Sequence, residues 1–377
     1  MNHVFLDDFK AVKQILGRPL TAYEVSASVG VQIVLHSWCR ARARKVPVTS
    51  TFDRVYGALI GQAVGDALGA PTEGLSRAQI VERYGWVSDF VDDDPAGTDD
   101  TEYAVLTARL LLDHGMELTP EQVGAAWTRD LVHQVGGFFG GGFSEMTSIN
   151  NLRAALAPPV TGSDNHELWS DGAAMRIAPV GILCAGDPAE AARLAAIEAQ
   201  VSHAKDGIYC AQVVAAGVAA AMTAQSWEEV VEAALAAAPL DSWTGRTIRR
   251  AVDIGSAHTE LSAALDDLYE RISIFHYPFA DVGPEATALA MGVFAAARGE
   301  YVPAVLGGAN VGRDADTIAA MAGSLAGALH GAEAVPEEWR RRINAVRGHC
   351  ITATAGTDLA ELARELHAAL LAAQTAA

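Results

Sequence analysis

Two short acidic clusters, Thr98-Asp99-Asp100-Thr101 and Asp314-Ala315-Asp316-Thr317, lie more than two hundred residues apart. Each follows closely on a glycine and opens an apolar helical run. Carboxylates and hydroxyls are hard oxygen donors that suit Mg²⁺, Mn²⁺ or Ca²⁺ better than Zn²⁺ or iron–sulfur chemistry. A centre of that kind points to hydrolysis or phosphoryl transfer. Aspartate and threonine also cap helix N-termini, where one oxygen satisfies a free N–H and faces a favourable dipole. Glu102, three residues past Asp99, even suggests a capping arrangement. A cap needs only one side-chain oxygen, however, and each cluster places two carboxylates within three residues. Carboxylates crowded at one helix start repel unless a cation lies between them. Taken together, the clusters are expected to form two halves of one metal site.

The elements that must position these clusters are helices. Apolar residues recur at three- and four-residue spacing in 103–112, 189–199, 227–238, 286–297 and 359–372, while strand-like alternation is nearly absent. Abundant alanine favours helices and lets their axes approach closely. The spacing therefore predicts an all-α fold. Four glycines, Gly57, Gly61, Gly65 and Gly69, repeat every fourth residue along the first helix of the main body. Each costs about 1 kcal/mol relative to alanine inside a helix, so the stripe needs a reason; close helix packing is the expected one. Asp66 lies on the packed side of that helix, where a buried carboxylate requires a partner. Residues 1–50, which carry the basic patch Arg40, Arg42, Arg44 and Lys45, are expected to form a helical extension, and 51–377 the catalytic body.

Composition excludes several classes of function. The chain of 377 residues is 50% hydrophobic and carries 46 acidic against 27 basic residues, a formal net charge of -19. That balance argues against general nucleic-acid binding or docking on an anionic membrane. The longest apolar stretch, 207–224, is mostly alanine and reads as a core helix instead of a membrane span. The four cysteines, Cys39, Cys184, Cys210 and Cys350, lack metal-type spacing and read as reduced thiols, and the N-terminus has no apolar core of signal type. A cytoplasmic protein is expected.

An ordered set of motifs resembles the ADP-ribosylglycohydrolase family, the group that includes the enzyme reactivating ADP-ribosylated dinitrogenase reductase. It begins with Gly57-Ala58-Leu59-Ile60-Gly61 and Gly65-Asp66-Ala67-Leu68-Gly69-Ala70-Pro71-Thr72-Glu73. It continues through Gly97-Thr98-Asp99-Asp100-Thr101, Asp171-Gly172-Ala173-Ala174-Met175-Arg176-Ile177-Ala178-Pro179 and Ser202-His203, and closes with Asn310-Val311-Gly312-Arg313-Asp314-Ala315-Asp316-Thr317-Ile318-Ala319. The set spans about residues 53 to 332 in the family's order. Single motifs are weak signals; their order makes them specific.

The resemblance implies an orthogonal helical fold holding two Mg²⁺ (or Mn²⁺) ions and a substrate whose anomeric ribose carbon is bonded to nitrogen or oxygen. Thr98, Asp99, Asp100, Asp314, Asp316 and Thr317 would hold the metals. Glu73 and Asp100 are the candidate proton-transfer groups, Glu73 being preferred because it is not committed to ligation. Asp171 and Met175 belong to the implied substrate-lining loop, and His203 stands at a family position that can face the site. The glycine-rich loop 136–143, with Gly140, Gly141 and Phe143, could cradle phosphates and stack on a base; it lacks the family's usual pattern there. Arg313 stands where the family commonly has glycine and could pair with the acidic cluster or contact the substrate. The expected partner is an ADP-ribosylated protein or a small ribosyl compound. Two competing functions have less support. Asp314-Ala315-Asp316-Thr317 also matches the signature of aspartate-nucleophile phosphatases, but that motif belongs at a strand end in an α/β domain. A non-catalytic ADP-ribose-binding relative would have no use for six crowded oxygen donors.

Overall fold

The computed structural model describes residues 48–135 and 141–376. The expected extension over 1–50 therefore lies almost wholly outside the described residues, as does Gly140. Eighteen α-helices occur among the described residues, with no strand beyond two isolated bridges, and the fold is all-α. Nine of the helices frame the site: α1 (Val48–Gly69), α2 (Asp99–His114), α3 (Phe143–Arg153), α4 (Gly172–Met175), α5 (Asp206–Ala221), α6 (Gly283–Ala296), α7 (Tyr301–Val311), α8 (Ala315–His330) and α9 (Leu359–Ala376). The periodic segments read from the sequence fall on helices, with 227–238 and 286–297 running two residues and one residue past the helix ends. The alanine-rich stretch is α5, almost all of it buried. No helix among the described residues is long and apolar enough to cross a membrane.

The glycine stripe of α1 meets α8 backbone to backbone. A Cβ placed on Gly57 would strike the Gly327 carbonyl, one on Gly65 the Ala319 carbonyl, and one on Gly69 the main chain of Asp316. The contact is reciprocal, because a Cβ on Gly323 or Gly327 would strike Gly61 or Gly57. Small residues on both partners thus remove the side-chain layer that ordinarily keeps helix axes 8–10 Å apart. The consequence is chemical: Asp66 near the end of α1 and Asp316 in the first turn of α8 share one small volume.

Short connections fix the remaining approach angles. Three residues join α7 to α8, and two of them, Gly312 and Arg313, have φ of 88° and 65°. At Gly312 the left-handed backbone and a close approach to the Leu75 carbonyl together demand glycine. The Arg313 N–H donates to the Leu75 carbonyl at 2.9 Å, and the Gly74 N–H donates to the Arg313 carbonyl at 2.9 Å. These two bonds tie the loop carrying Glu73 to the turn carrying Asp314. Thr72 adds a third tie, its hydroxyl donating to the Gly69 and Ala309 carbonyls at 2.8 and 2.7 Å.

A methyl group at position 65 tests whether this close approach matters. Gly65→Ala is expected to force α1 away from α8 and cost about 1–3 kcal/mol, the usual penalty of overpacking. Divalent-cation affinity should fall with it. Thermal melting and a Mn²⁺ titration read the two effects, and wild-type values for both would show that the contact sets neither stability nor site geometry.

Candidate metal centre

Asp66 lies fully buried on the packed face of α1, and four donors converge on it. The Thr98 N–H and hydroxyl each donate at 2.8 Å, the Thr101 N–H donates at 3.1 Å, and the Thr101 hydroxyl donates as well. The start of α2 is therefore capped from another helix; neither Thr98 nor Glu102 caps it from its own sequence. The capping arrangement suggested by Glu102 does not form. Its carboxylate instead accepts the N–H groups of His349, Cys350 and Ile351 at 2.6 to 2.9 Å. Gly97 permits the tight entry, because a side chain there would strike Thr101.

Asp100, in the first turn of α2, points into the volume between α1 and α8. Oxygens of Asp66, Asp100 and Asp316 lie within 4.8 Å of one another, and so do oxygens of Glu73, Asp314 and Asp316. Asp316 belongs to both triplets. The Thr317 hydroxyl donates to Asp100 Oδ2 at 3.3 Å, joining the two acidic clusters directly. Asp100 Oδ1 and Asp316 Oδ1 are buried without a hydrogen-bond partner among the described residues.

The charge balance is unfavourable. Burial is the main force pushing up the Asp66 carboxyl, to about 7, and the Asp99 carboxyl, to about 6. Burial first, and then neighbouring carboxylates, raise Asp100, Asp314 and Asp316 well above the ordinary range. Desolvation also raises Glu73, which is the exposed member of the group. Nearby guanidinium groups do not neutralise them. Arg176 is held by Glu145 and Glu198, and Arg313 by Glu285. Of the two roles open to Arg313 from the sequence, pairing with the acidic cluster does not occur, because the side chain turns away from Asp314 toward buried Glu285. Buried carboxylates without a compensating charge are costly. Orphaned oxygens, a hard donor set and two triplets sharing one member all fit a pair of divalent cations.

The other residues singled out from the sequence fall into two groups. Asp171, at the N-terminus of α4, joins the centre: its carboxyl faces that of Asp314, and two acids so placed call for a shared proton or a cation between them. Its Oδ2 has no partner among the described residues. Gly141 (φ 87°) and Phe143 lie at the entry to α3, where Phe143 is 42% exposed and packs edge-on against Phe279 with ring centroids 5.0 Å apart. Met175 and His203 are buried instead. The Met175 carbonyl accepts from Gln62 Nε2 at 2.7 Å, and both nitrogens of His203 are engaged. Ser202 does not cap α5, whose N-cap position is Lys205.

His203 belongs to a closed ring of buried hydrogen bonds, and the direction of that ring can be worked out. Arg176 has only hydrogens to give, so it donates to Ser202 Oγ at 2.8 Å. Ser202 then donates to His203 Nδ1 at 2.7 Å, leaving Nε2–H to donate to Ser170 at 2.9 Å. Ser170 donates to Ser144 at 2.7 Å, Ser144 to Glu145 at 2.6 Å, and Arg176 closes the ring on Glu145 at 3.2 Å. Every bond is satisfied with a neutral imidazole, and burial followed by the Arg176 charge lowers the His203 pKa in agreement. The ring also fixes the Asp171 turn, because Arg176 donates to the Gly172 carbonyl at 2.8 Å. Its members were not singled out as a group in the sequence, because Ser144, Ser170 and Ser202 stand on separate segments and carry no spacing signal. Asp281 and Glu167 were missed for the same reason. Their carboxyls face each other beside Asp171, and burial first, then Glu167, raises Asp281 to about 7.

Comparison with known proteins agrees with this architecture. The family described as ADP-ribosylglycohydrolase matches residues 47–375. A protein of Archaeoglobus fulgidus without an assigned function is 33% identical over 291 residues, 74% of this chain and 88% of that one. The ADP-ribosylarginine hydrolase Tri1 of Pseudomonas putida is 27% identical over 318 residues, 81% of this chain and 78% of its own length. A solved structure titled "ADP-ribosylglycohydrolase-related protein complex" superposes with a TM-score of 0.58 at 24% identity, covering 85% of this chain and 99% of that one, which supports the fold.

The raised carboxyls give a pH dependence of definite sign. An unfolded aspartate titrates near pH 4, so between about pH 4 and 7 the metal-free folded chain binds more protons than the unfolded one. Stability in EDTA is therefore expected to rise as pH falls from 8 toward 5. Divalent-cation affinity should move the opposite way, weakening as pH drops below about 7 because each ion must displace protons from groups such as Asp66. Melting curves in EDTA and calorimetric titrations in buffers of different ionisation enthalpy check both signs. Metal uptake without proton release at pH 6 would contradict them.

Proposed function

Because the chain belongs to the ADP-ribosylglycohydrolase family, we propose that it hydrolyses the glycosidic bond between the anomeric ribose carbon of ADP-ribose and an arginine side chain. The observation that carries this function is the meeting of two carboxylate triplets at Asp316. Such a donor set suits two Mg²⁺ or Mn²⁺ ions, with Asp66 and Asp100 on one side of Asp316, Asp314 on the other, the hydroxyls of Thr98 and Thr317 adjoining, and Glu73 left free at the exposed edge of the second triplet. Bound there, divalent ions supply Lewis acidity toward ribose hydroxyls and water.

Two further observations favour arginine as the leaving group. Asp171 Oδ2, Asp281 Oδ1 and Glu167 Oε2 are buried beside the centre without partners among the described residues, an acidic wall suited to a guanidinium. The Pseudomonas relative carries the name of an ADP-ribosylarginine hydrolase. The three buried free cysteines Cys184, Cys210 and Cys350 suit a reducing, cytoplasmic setting.

The chain's own residues then have distinct tasks. Asp171, oriented by the ring through Arg176, holds the leaving guanidinium and keeps it cationic. Glu73, exposed at the edge of the cluster, accepts a proton from the attacking water as the water oxygen bonds to the anomeric carbon and the carbon–nitrogen bond breaks. The same proton passes to the departing guanidine nitrogen, so arginine leaves in its ordinary charged form. Asp99 and Asp100, rigid at the start of α2, hold position without moving a proton.

Glu73→Gln removes the proton acceptor while keeping shape. The expected result is a drop in kcat of about a hundredfold or more, with KM changed far less, as for loss of a general base. Turnover is measured with Mn²⁺ or Mg²⁺, and with EDTA, on ADP-ribosyl-arginine and ADP-ribosyl-serine peptides. Equal rates on the two peptides, or an unchanged kcat in the variant, would contradict the assignment.

A further inference from the structure

Arg313 occupies a backbone conformation, φ 65°, that residues with a side chain disfavour. A residue kept in such a conformation must be held there by its contacts. Its N–H and carbonyl are bound to Leu75 and Gly74, beside Glu73, and its successor is Asp314. The guanidinium points the other way. Nε donates to Glu285 Oε1 at 2.5 Å and Nη2 donates to the Phe279 carbonyl at 2.9 Å. Glu285 is fully buried, and its second oxygen accepts the Ile274 N–H at 2.6 Å.

The ion pair thus holds segment 274–281 at both ends, Ile274 through Glu285 and Phe279 through Arg313 itself. That segment carries an aromatic face beside the acidic centre. Phe279 is 46% exposed and packs against Phe143, and against Tyr277 at 5.6 Å; Tyr277 in turn packs on Trp169 at 5.4 Å. The segment ends at Asp281, whose carbonyl accepts the Asp171 N–H at 3.2 Å. One side chain therefore links the turn that carries Asp314 to a segment with a large exposed ring, Phe279.

We propose that Arg313 is a positioning residue for substrate affinity: it straps the 274–281 loop, with Phe279, to the metal-binding turn, and so presents an aromatic wall to the nucleotide part of the ligand without touching the reacting bond. The choice of ADP-ribose as ligand rests on the function proposed above. The strap itself rests on the geometry alone. Glycine adopts the same φ freely, so Arg313→Gly removes the strap while leaving the turn relaxed. Arg313→Lys keeps a charge for Glu285 but loses the two-pronged reach to Phe279.

The full-length chain loaded with Mn²⁺ is titrated with ADP-ribose by calorimetry, and with Mn²⁺ alone, for the unaltered protein and both variants. Hydrogen exchange of segment 274–281 is followed in parallel. Arg313→Gly is expected to weaken ADP-ribose binding by about tenfold or more, the worth of one charge-assisted contact. Mn²⁺ affinity should stay unchanged, exchange in 274–281 should speed up, and Arg313→Lys should fall between. In turnover the loss should appear in KM and not in kcat. Unchanged exchange, or Mn²⁺ affinity falling in parallel with ADP-ribose affinity, would overturn the strap. Absence of ADP-ribose binding by the unaltered chain would instead contradict the substrate assignment and remove the affinity role, while faster exchange in the variant would still establish the strap.

Discussion

Too many buried carboxylates stand too close together in this protein, and much of its structure answers that constraint. Asp66, Asp100, Asp314 and Asp316 converge in one volume, with Glu73, Asp99 and Asp171 beside them. The adjoining arginines are already held by Glu145, Glu198 and Glu285. In a low-dielectric interior such groups either keep protons they would lose in water or surround cations. The hydroxyls and main-chain N–H groups around Asp66 supply part of the compensation; the orphaned oxygens of Asp100 and Asp316 receive none from the described residues.

Helix packing makes the convergence possible. An ordinary side-chain layer between α1 and α8 would hold Asp66 and Asp316 apart, so the glycine stripe is as much part of the site as the aspartates. The main-chain bonds between 74–75 and Arg313 do the same for Glu73. A second tier, the ring from Arg176 through His203 to Glu145, is neutral at its histidine and fixes the Asp171 turn from behind. Apart from Asp66, which lies inside α1, site residues thus sit at helix starts and on short turns, where a rigid scaffold sets their directions.

Much of this was legible in the sequence. The all-α fold followed from three- and four-residue periodicity, and the glycine spacing of α1 pointed to a close helix contact. Two acidic clusters at helix starts were visible because their excess of carboxylates over capping needs is a local property. Asp66 was recognisable as a buried acid in need of partners, but nothing local showed that those partners are Thr98 and Thr101 or that it shares a volume with Asp100 and Asp316. Arg313 stood out beside the acids, yet sequence adjacency pointed the wrong way: its left-handed backbone sends the side chain to Glu285, 28 residues earlier. The ring and the Glu167–Asp281 pair left no trace, since their members come from segments that only tertiary packing brings together. Gly140 and the N-terminal segment lie outside the described residues.

The most direct test of a shared two-ion centre is a count of Mn²⁺ bound per chain, by calorimetry and by anomalous scattering from crystals, in the unaltered protein and in Asp316→Asn. With Asp316 common to both triplets, two ions are expected in the unaltered chain and loss of both in the variant, with its helical circular dichroism preserved. A single ion in the unaltered chain, or a variant that keeps one ion at undiminished affinity, would contradict the shared centre.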